Sequence, residues 1–147
     1  MTPDVPAAGS IEVRVRYCEC DPMGVAHHAS YTPWMEMART ELLRSAGVTY
    51  AQLERDGVFL VVTKLEVRYR RPIRYDDRIE IACNVVGGSR VKIRHEYELT
   101  LLEPGDGRGE RLTDRAGQCA VGVTELACVS ADGRVRELPD WLVPKTD

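Results

Sequence analysis

A single change of hydrophobic period governs what this chain can fold into. From about Tyr31 to Ala46, the residues Tyr31, Trp34, Met35, Ala38, Leu42 and Ala46 recur at spacings of three and four, with Glu36, Arg39, Glu41 and Arg44 on the wetter side. That spacing predicts one long amphipathic helix. Ser30 or Thr32 suits its N-cap, Pro33 its first turn and Gly47 the C′ position. Elsewhere the period is mostly two. Ile11, Val13, Val15 and Tyr17 alternate with Glu12, Arg14 and Arg16, which predicts a strand with one buried face ending in a core tyrosine. A short helix is expected around Tyr50 to Arg55. After Gly57 the chain reads as strand: Leu65, Val67 and Tyr69, closed by Pro72; then Ile79, Ile81, Cys83 and Val85. Gly87-Gly88 is expected to turn the chain into Val91, Ile93, His95, Tyr97, Leu99 and Leu101. A loop from Glu103 to Arg111 precedes a fifth run from about Leu112 to Val129. Short connections between strands imply antiparallel pairing, because parallel pairing needs a crossover. The expected fold is α+β, one long helix against an antiparallel sheet.

The 147 residues are expected to form one domain from residue 10 to 147, behind a frayed tail over residues 1 to 9. Chains of ~150 residues bury about 68–70% of their unfolded surface, so a core is available without staples. With 20 Lys+Arg against 23 Asp+Glu, the net charge of −3 argues against a general nucleic-acid binder. Five cysteines, at 18, 20, 83, 119 and 128, cannot all pair within one chain. The N-terminal stretch lacks the basic start and apolar run of a secretory leader, and no apolar run approaches the ~20 residues of a spanning helix. A reducing cytoplasm is the expected setting.

Chemistry is concentrated in the loop from Tyr17 to Tyr31, YCECDPMGVAHHASY, which places an acid, two histidines, two thiols and a glycine just before a helix N-terminus. Unpaired N–H groups and the positive end of the helix dipole can hold a carbonyl that becomes an oxyanion. Asp21 is positioned to act as a general base on water or as a nucleophile. The same Asp21-Pro22-Met23-Gly24 run is also an ordinary turn, with the aspartate chosen for local backbone bonding. Cys18-x-Cys20 followed by His27-His28 has zinc-ligand residue types without the usual CxxC and HxxxH spacings, so no metal site is expected. Neither thiol has a recognisable activating environment.

The stretch Tyr17 to Leu43 closely resembles the start of hotdog-fold acyl-CoA thioesterases of the 4-hydroxybenzoyl-CoA thioesterase family, including the branch associated with the Tol–Pal envelope system. The matching positions are Tyr17, Asp21, Gly24, His28, Tyr31, Glu36 and Arg39, with weaker agreement at Tyr69, Pro72 and Asp77. The resemblance implies a five-stranded antiparallel sheet wrapped around the long helix, and sites formed between paired subunits in a homodimer or a homotetramer built as a dimer of dimers. It implies that Asp21 is the catalytic carboxylate and that the backbone N–H of His28 polarises a thioester carbonyl. Tyr17 and His28 become supporting site residues, and neither metal nor redox cofactor is implied. His27 stands where that branch usually has an aromatic residue, which bears on the acyl pocket.

An acyl-CoA substrate carries phosphates, and two basic groups are candidates to meet them. Arg90, Lys92 and Arg94 would share one face of strand four, and Arg70 and Arg71 form a second cluster. Glu36 and Arg39, three residues apart, are expected to pair on the helix surface. The expected activity is hydrolysis of an acyl-CoA thioester. The alternatives are a non-catalytic acyl-CoA-binding module and a hydratase, although no hydratase-like segment is evident.

Overall fold

The computed structural model describes residues 2 to 105 and 117 to 145. Among these, five strands form one antiparallel sheet: β1 (Ala8–Arg14), β2 (Phe59–Tyr69), β3 (Arg78–Gly88), β4 (Lys92–Glu103) and β5 (Gly117–Val129). The strand order is β1-β3-β4-β5-β2, so β1 and β2 are the edges. Two helices, α1 (Tyr31–Ser45) and α2 (Tyr50–Arg55), lie between β1 and β2 in sequence.

The helix α1 lays its apolar stripe on the sheet. Tyr31, Trp34, Met35, Ala38 and Leu42 are buried together with Val15, Ile79, Ile81, Cys83, Tyr97 and Leu99. Full burial of a large apolar side chain contributes about 1.5–3 kcal/mol, so this face holds helix and sheet together. The backbone of β5 comes close beneath it: a Cβ on Gly122 would stand 2.7 Å from Met35 Cε. A second cluster gathers Leu43, Val48, Leu53, Val58, Ile93, Cys128, Leu138 and Leu142 around the C-terminal half of α1. Gly47 adopts a positive φ of 80° directly after α1, as its expected C′ role requires. The alternation of β4 is as expected, with Ile93, His95, Tyr97, Leu99 and Leu101 inside.

Several boundaries differ from the sequence reading. Pairing of β1 begins at Ala8↔Asn84 and Gly9↔Cys83, inside the expected tail, and Val85 N–H donates to the Ala7 carbonyl. Small residues carry no alternation to read, yet their backbone pairs as well as any. The strand then ends at Arg14 and not at Tyr17. Gly87 and Gly88 are not the turn: they end β3, paired with Arg94 and Ile93 after a bulge beyond Val85. Gly88 has φ of 148°, and a Cβ there would sit 2.1 Å from the Lys92 carbonyl oxygen, so only glycine fits. The loop and strand expected over 106 to 116 lie outside the described residues. No helix among the described residues is long and apolar enough to cross a membrane.

Candidate functional site

The loop between β1 and α1 is pinned at several points before it reaches the helix. After Val15, a 3₁₀ turn over Tyr17–Glu19 redirects the chain. Asp21 N–H donates to the Val25 carbonyl (2.9 Å), and Gly24 N–H donates to the Asp21 carbonyl (2.9 Å). Ala26 N–H donates to the Ile73 carbonyl (2.7 Å), which ties the loop to the segment after β2. The turn reading of Asp21 is thus correct in one respect: its Oδ1 accepts from Met23 N–H at 2.9 Å. Among the described residues Oδ2 accepts no hydrogen bond, so one carboxylate oxygen anchors the group and the other is available for chemistry.

A second 3₁₀ turn, His28–Ser30, leads directly into α1. His27 caps it, with its Nδ1 accepting from Ala29 N–H (3.0 Å) and its carbonyl from Ser30 N–H (2.9 Å). The N–H of His28, which opens the turn, has no partner among the described residues. An unpaired N–H at a helix entrance, with the dipole behind it, is a ready donor to an anion. Ser30 does not cap α1 as expected; its hydroxyl donates to the Glu19 carbonyl at 2.8 Å.

Asp21 and His28 line one open cleft of about 290 Å³ with Val25, Tyr31, Tyr69, Arg70, Arg71 and Pro72. The Tyr69 hydroxyl donates to the His28 carbonyl (3.0 Å), and its ring meets Tyr31 edge-on at 4.8 Å. The end of β2 therefore fixes the helix entrance. The His27 and His28 rings lie 3.9 Å apart, and the His28 side chain is exposed.

Other expected residues fall elsewhere. Tyr17 is not a core tyrosine: it is 82% exposed in the first 3₁₀ turn, edge-on to Tyr75 at 5.8 Å, and is not among the residues lining the Asp21 cleft. Because β1 ends at Arg14, the period of two no longer applies at Tyr17. Arg90 is not on strand four, which starts at Lys92; it sits in the preceding turn, ion-paired with Glu137 (3.4 Å) and Asp140 (3.2 Å). Arg94 pairs with Glu125 at 3.6 Å, and Lys92 is exposed at the start of β4. The strand-four stripe is thus interrupted and none of its three residues lines the cleft, whereas Arg70 and Arg71 are part of the cleft wall. Glu36 and Arg39 do not pair on the helix surface: Arg39 is buried and donates to the Tyr97 and Tyr50 hydroxyls at 3.1 and 3.4 Å. Cys18 and Cys20 are free thiols, and no group of three metal-ligating side chains occurs among the described residues.

Glu19 was not evident from sequence. It is 8% exposed, with Oε1 accepting from Arg16 N–H (2.8 Å) and Oε2 from Trp34 Nε1–H (2.6 Å). Its carbonyl accepts from His27 N–H (2.8 Å) as well as from Ser30, so this one residue ties the Asp21 loop to the helix entrance. Only the tertiary approach of Trp34 gives the carboxylate a reason to be buried, and no local pattern announces it.

Comparison with known proteins bears on the fold and the family. The Synechocystis sp. protein sll0410, which carries an esterase name, is 34% identical over 131 residues, covering 88% of this chain and 72% of that protein. The Escherichia coli acyl-CoA thioester hydrolase YbgC is 42% identical over 73 residues, covering 50% of this chain and 54% of YbgC. Among solved structures, the DHNA-CoA thioesterase of Staphylococcus aureus superposes with a TM-score of 0.76 at 29% identity, covering 89% of this chain and 80% of that one. The chain spans about half the length of several curated relatives that it matches. The family described as the thioesterase-like superfamily matches residues 15–145, nearly the whole length, and the chain, with its antiparallel sheet and long packed helix, belongs to that hotdog-fold superfamily.

Proposed function

We propose that the chain hydrolyses acyl-CoA thioesters to a free carboxylic acid and coenzyme A. The observation that carries this reading is the meeting of a carboxylate and an unpaired helix-entrance N–H, Asp21 and His28, in one cleft. Asp21 takes a proton from water attacking the carbonyl carbon, or attacks that carbon itself and is then released by water. Either way the carbonyl oxygen becomes negative next to the His28 N–H, where a fixed dipole stabilises it without reorganisation. The C–S bond breaks, the thiolate takes up a proton, and the acid is left. Arg70 and Arg71 supply positive charge at the cleft for the phosphates of the coenzyme. Tyr17, outside the cleft wall, has no part in this reading, nor does the ion-paired Arg90.

The working unit in this reading is a homodimer built on the β2 edge. Paired with β5 on one side only, that edge strand exposes the apolar side chains of Val61, Val62, Leu65 and Tyr69, which natural proteins usually cover. Tyr69 belongs to both the edge and the cleft, so a second copy there would border Asp21. Five free thiols are in keeping with a cytoplasmic setting. The test is chromatographic detection of coenzyme A released from short, long and aryl acyl-CoAs, which avoids background from the protein's own thiols. Release from at least one class is expected. Saturable binding of acyl-CoA without release from any of them would make the chain a binding module.

A further inference from the structure

At the far end of α1 from the Asp21 cleft, a separate cavity of about 90 Å³ lies between the helix, the sheet and the two terminal segments. Its walls are mostly apolar, including Leu42, Leu60, Val85, Ile93 and Val143. Arg39 is the one buried charge among them. Its guanidinium is buried against this cavity, and its partners are two neutral hydroxyls: Tyr50, and Tyr97, whose oxygen is also bonded to Thr124 Oγ1 at 2.7 Å. Among the described residues no carboxylate lies within ion-pair reach of Arg39. A buried charge is costly unless it is paired, and arginine does not escape by losing its proton.

His95 lines the same cavity, is 4% exposed, and has the one buried side-chain polar atom without a hydrogen-bond partner among the described residues, Nδ1. Burial first, and the Arg39 charge second, push its pKa down to about 3, so it adds no second positive charge at neutral pH. Lys145 also borders the cavity, but its side chain is exposed and lies 3.8 Å from Asp4. The interior thus offers one cation, fixed in place, facing apolar walls.

We propose that this cavity binds a small aliphatic monocarboxylate, its carboxylate paired with Arg39 and its tail among Leu42, Leu60 and Val85. A single guanidinium matches a monoanion, and its planar fork fits a carboxylate in particular. The apolar walls select an alkyl tail over a purely inorganic ion. The volume, equivalent to about three waters, favours a short tail over a long one. The site does not depend on the chemistry assigned to Asp21.

The test is methyl NMR of the full chain titrated with sodium butyrate, with sodium chloride and neutral butyramide as matched controls. Saturable shifts of the Leu42, Leu60 and Val85 methyls with butyrate alone are expected, and Asp21→Asn should leave them unchanged. Val85→Phe, which fills the cavity and keeps Arg39, should weaken binding about tenfold or more, as should Arg39→Met. Cooperative melting confirms that each variant is folded. The proposal is overturned if the lining methyls of the folded wild type do not respond. It is equally overturned if butyramide shifts them as butyrate does, if Val85→Phe leaves the affinity intact, or if the response is confined to the Asp21 cleft.

Discussion

Replacing Glu19 by alanine removes the acceptor that ties the Asp21 loop to α1, and the structure sets the size of the effect. Trp34 is 1% exposed, and its Nε1–H donates to Glu19 Oε2 at 2.6 Å. A hydrogen bond to a charged acceptor contributes about 1.5–3 kcal/mol, and a buried donor left unpaired costs about 1–3 kcal/mol. The Arg16 amide loses its acceptor too, but it is nearer solvent and water can replace it. Glu19→Ala should therefore cost about 3 kcal/mol, which lowers Tm by roughly 10 °C for a chain of this size. Glu19→Gln should cost less, because the amide oxygen serves one of the two donors while its NH₂ faces the other. Thermal and urea melts of both variants, with Trp34→Phe in a double-mutant cycle, measure this directly. The cycle should return a coupling of about 1.5–3 kcal/mol between Glu19 and Trp34. A Glu19→Ala protein melting within ~2 °C of wild type, or a coupling near zero, would refute the reasoning.

Three further outcomes are expected. Gly88→Ala, with a positive φ and a Cβ driven into the Lys92 carbonyl, should cost about 2 kcal/mol or more, whereas Gly122→Ala crowds the flexible end of Met35 and stands 3.4 Å from the Glu66 carbonyl oxygen, and should cost about 1 kcal/mol; urea midpoints of the two variants check the order. His95 is held neutral when folded, with a pKa of about 3 against about 6.5 when unfolded. Its stabilising contribution is then complete above pH 6.5 and declines as the pH falls toward 3, by up to about 1.4 kcal/mol per pH unit, and His95→Gln should flatten the pH dependence of the urea midpoint over that window. Placing a charge on the exposed β2 edge with Val62→Lys should convert a wild-type dimer to monomer in light scattering, while a wild-type monomer would remove the β2 assembly.

The elements with a single apolar face were legible in the sequence. The helix at Tyr31 to Ala46 and the alternation from Ile93 to Leu101 could be read because burial on one side imposes a period on side chains. Ala8 and Gly9 were missed because their part in β1 is made by backbone pairing, which leaves no trace in side-chain polarity. Tyr17 was misplaced because the alternation was carried three residues beyond the true end of β1. The burial of Arg39 did have a signal: it lies four residues after Met35 and three before Leu42, on the apolar stripe and not opposite it. Its partners Tyr50 and Tyr97 come from distant parts of the chain, so the reason it can be buried was not local. Asp21 stood out as an acid in a loop that ends on a helix, and His28 through the resemblance of Tyr17 to Leu43 to the thioesterase motif. That Tyr69 and Arg70 would complete the same cleft depends on β2 returning to the helix entrance, which topology alone decides.

The central claim is that the Asp21 carboxylate performs the chemistry while the His28 N–H waits for the oxyanion. Its most direct test is the steady-state rate of coenzyme A release by Asp21→Asn on the best acyl-CoA of the wild type. The asparagine oxygen can still accept from Met23 N–H and preserve the turn, so the fold and Tm should be retained. The account predicts a fall in kcat of about 10²–10⁴-fold with KM little changed, since the lost group acts on the reacting atoms and not on the bound coenzyme. A folded Asp21→Asn enzyme with kcat near wild type would contradict it.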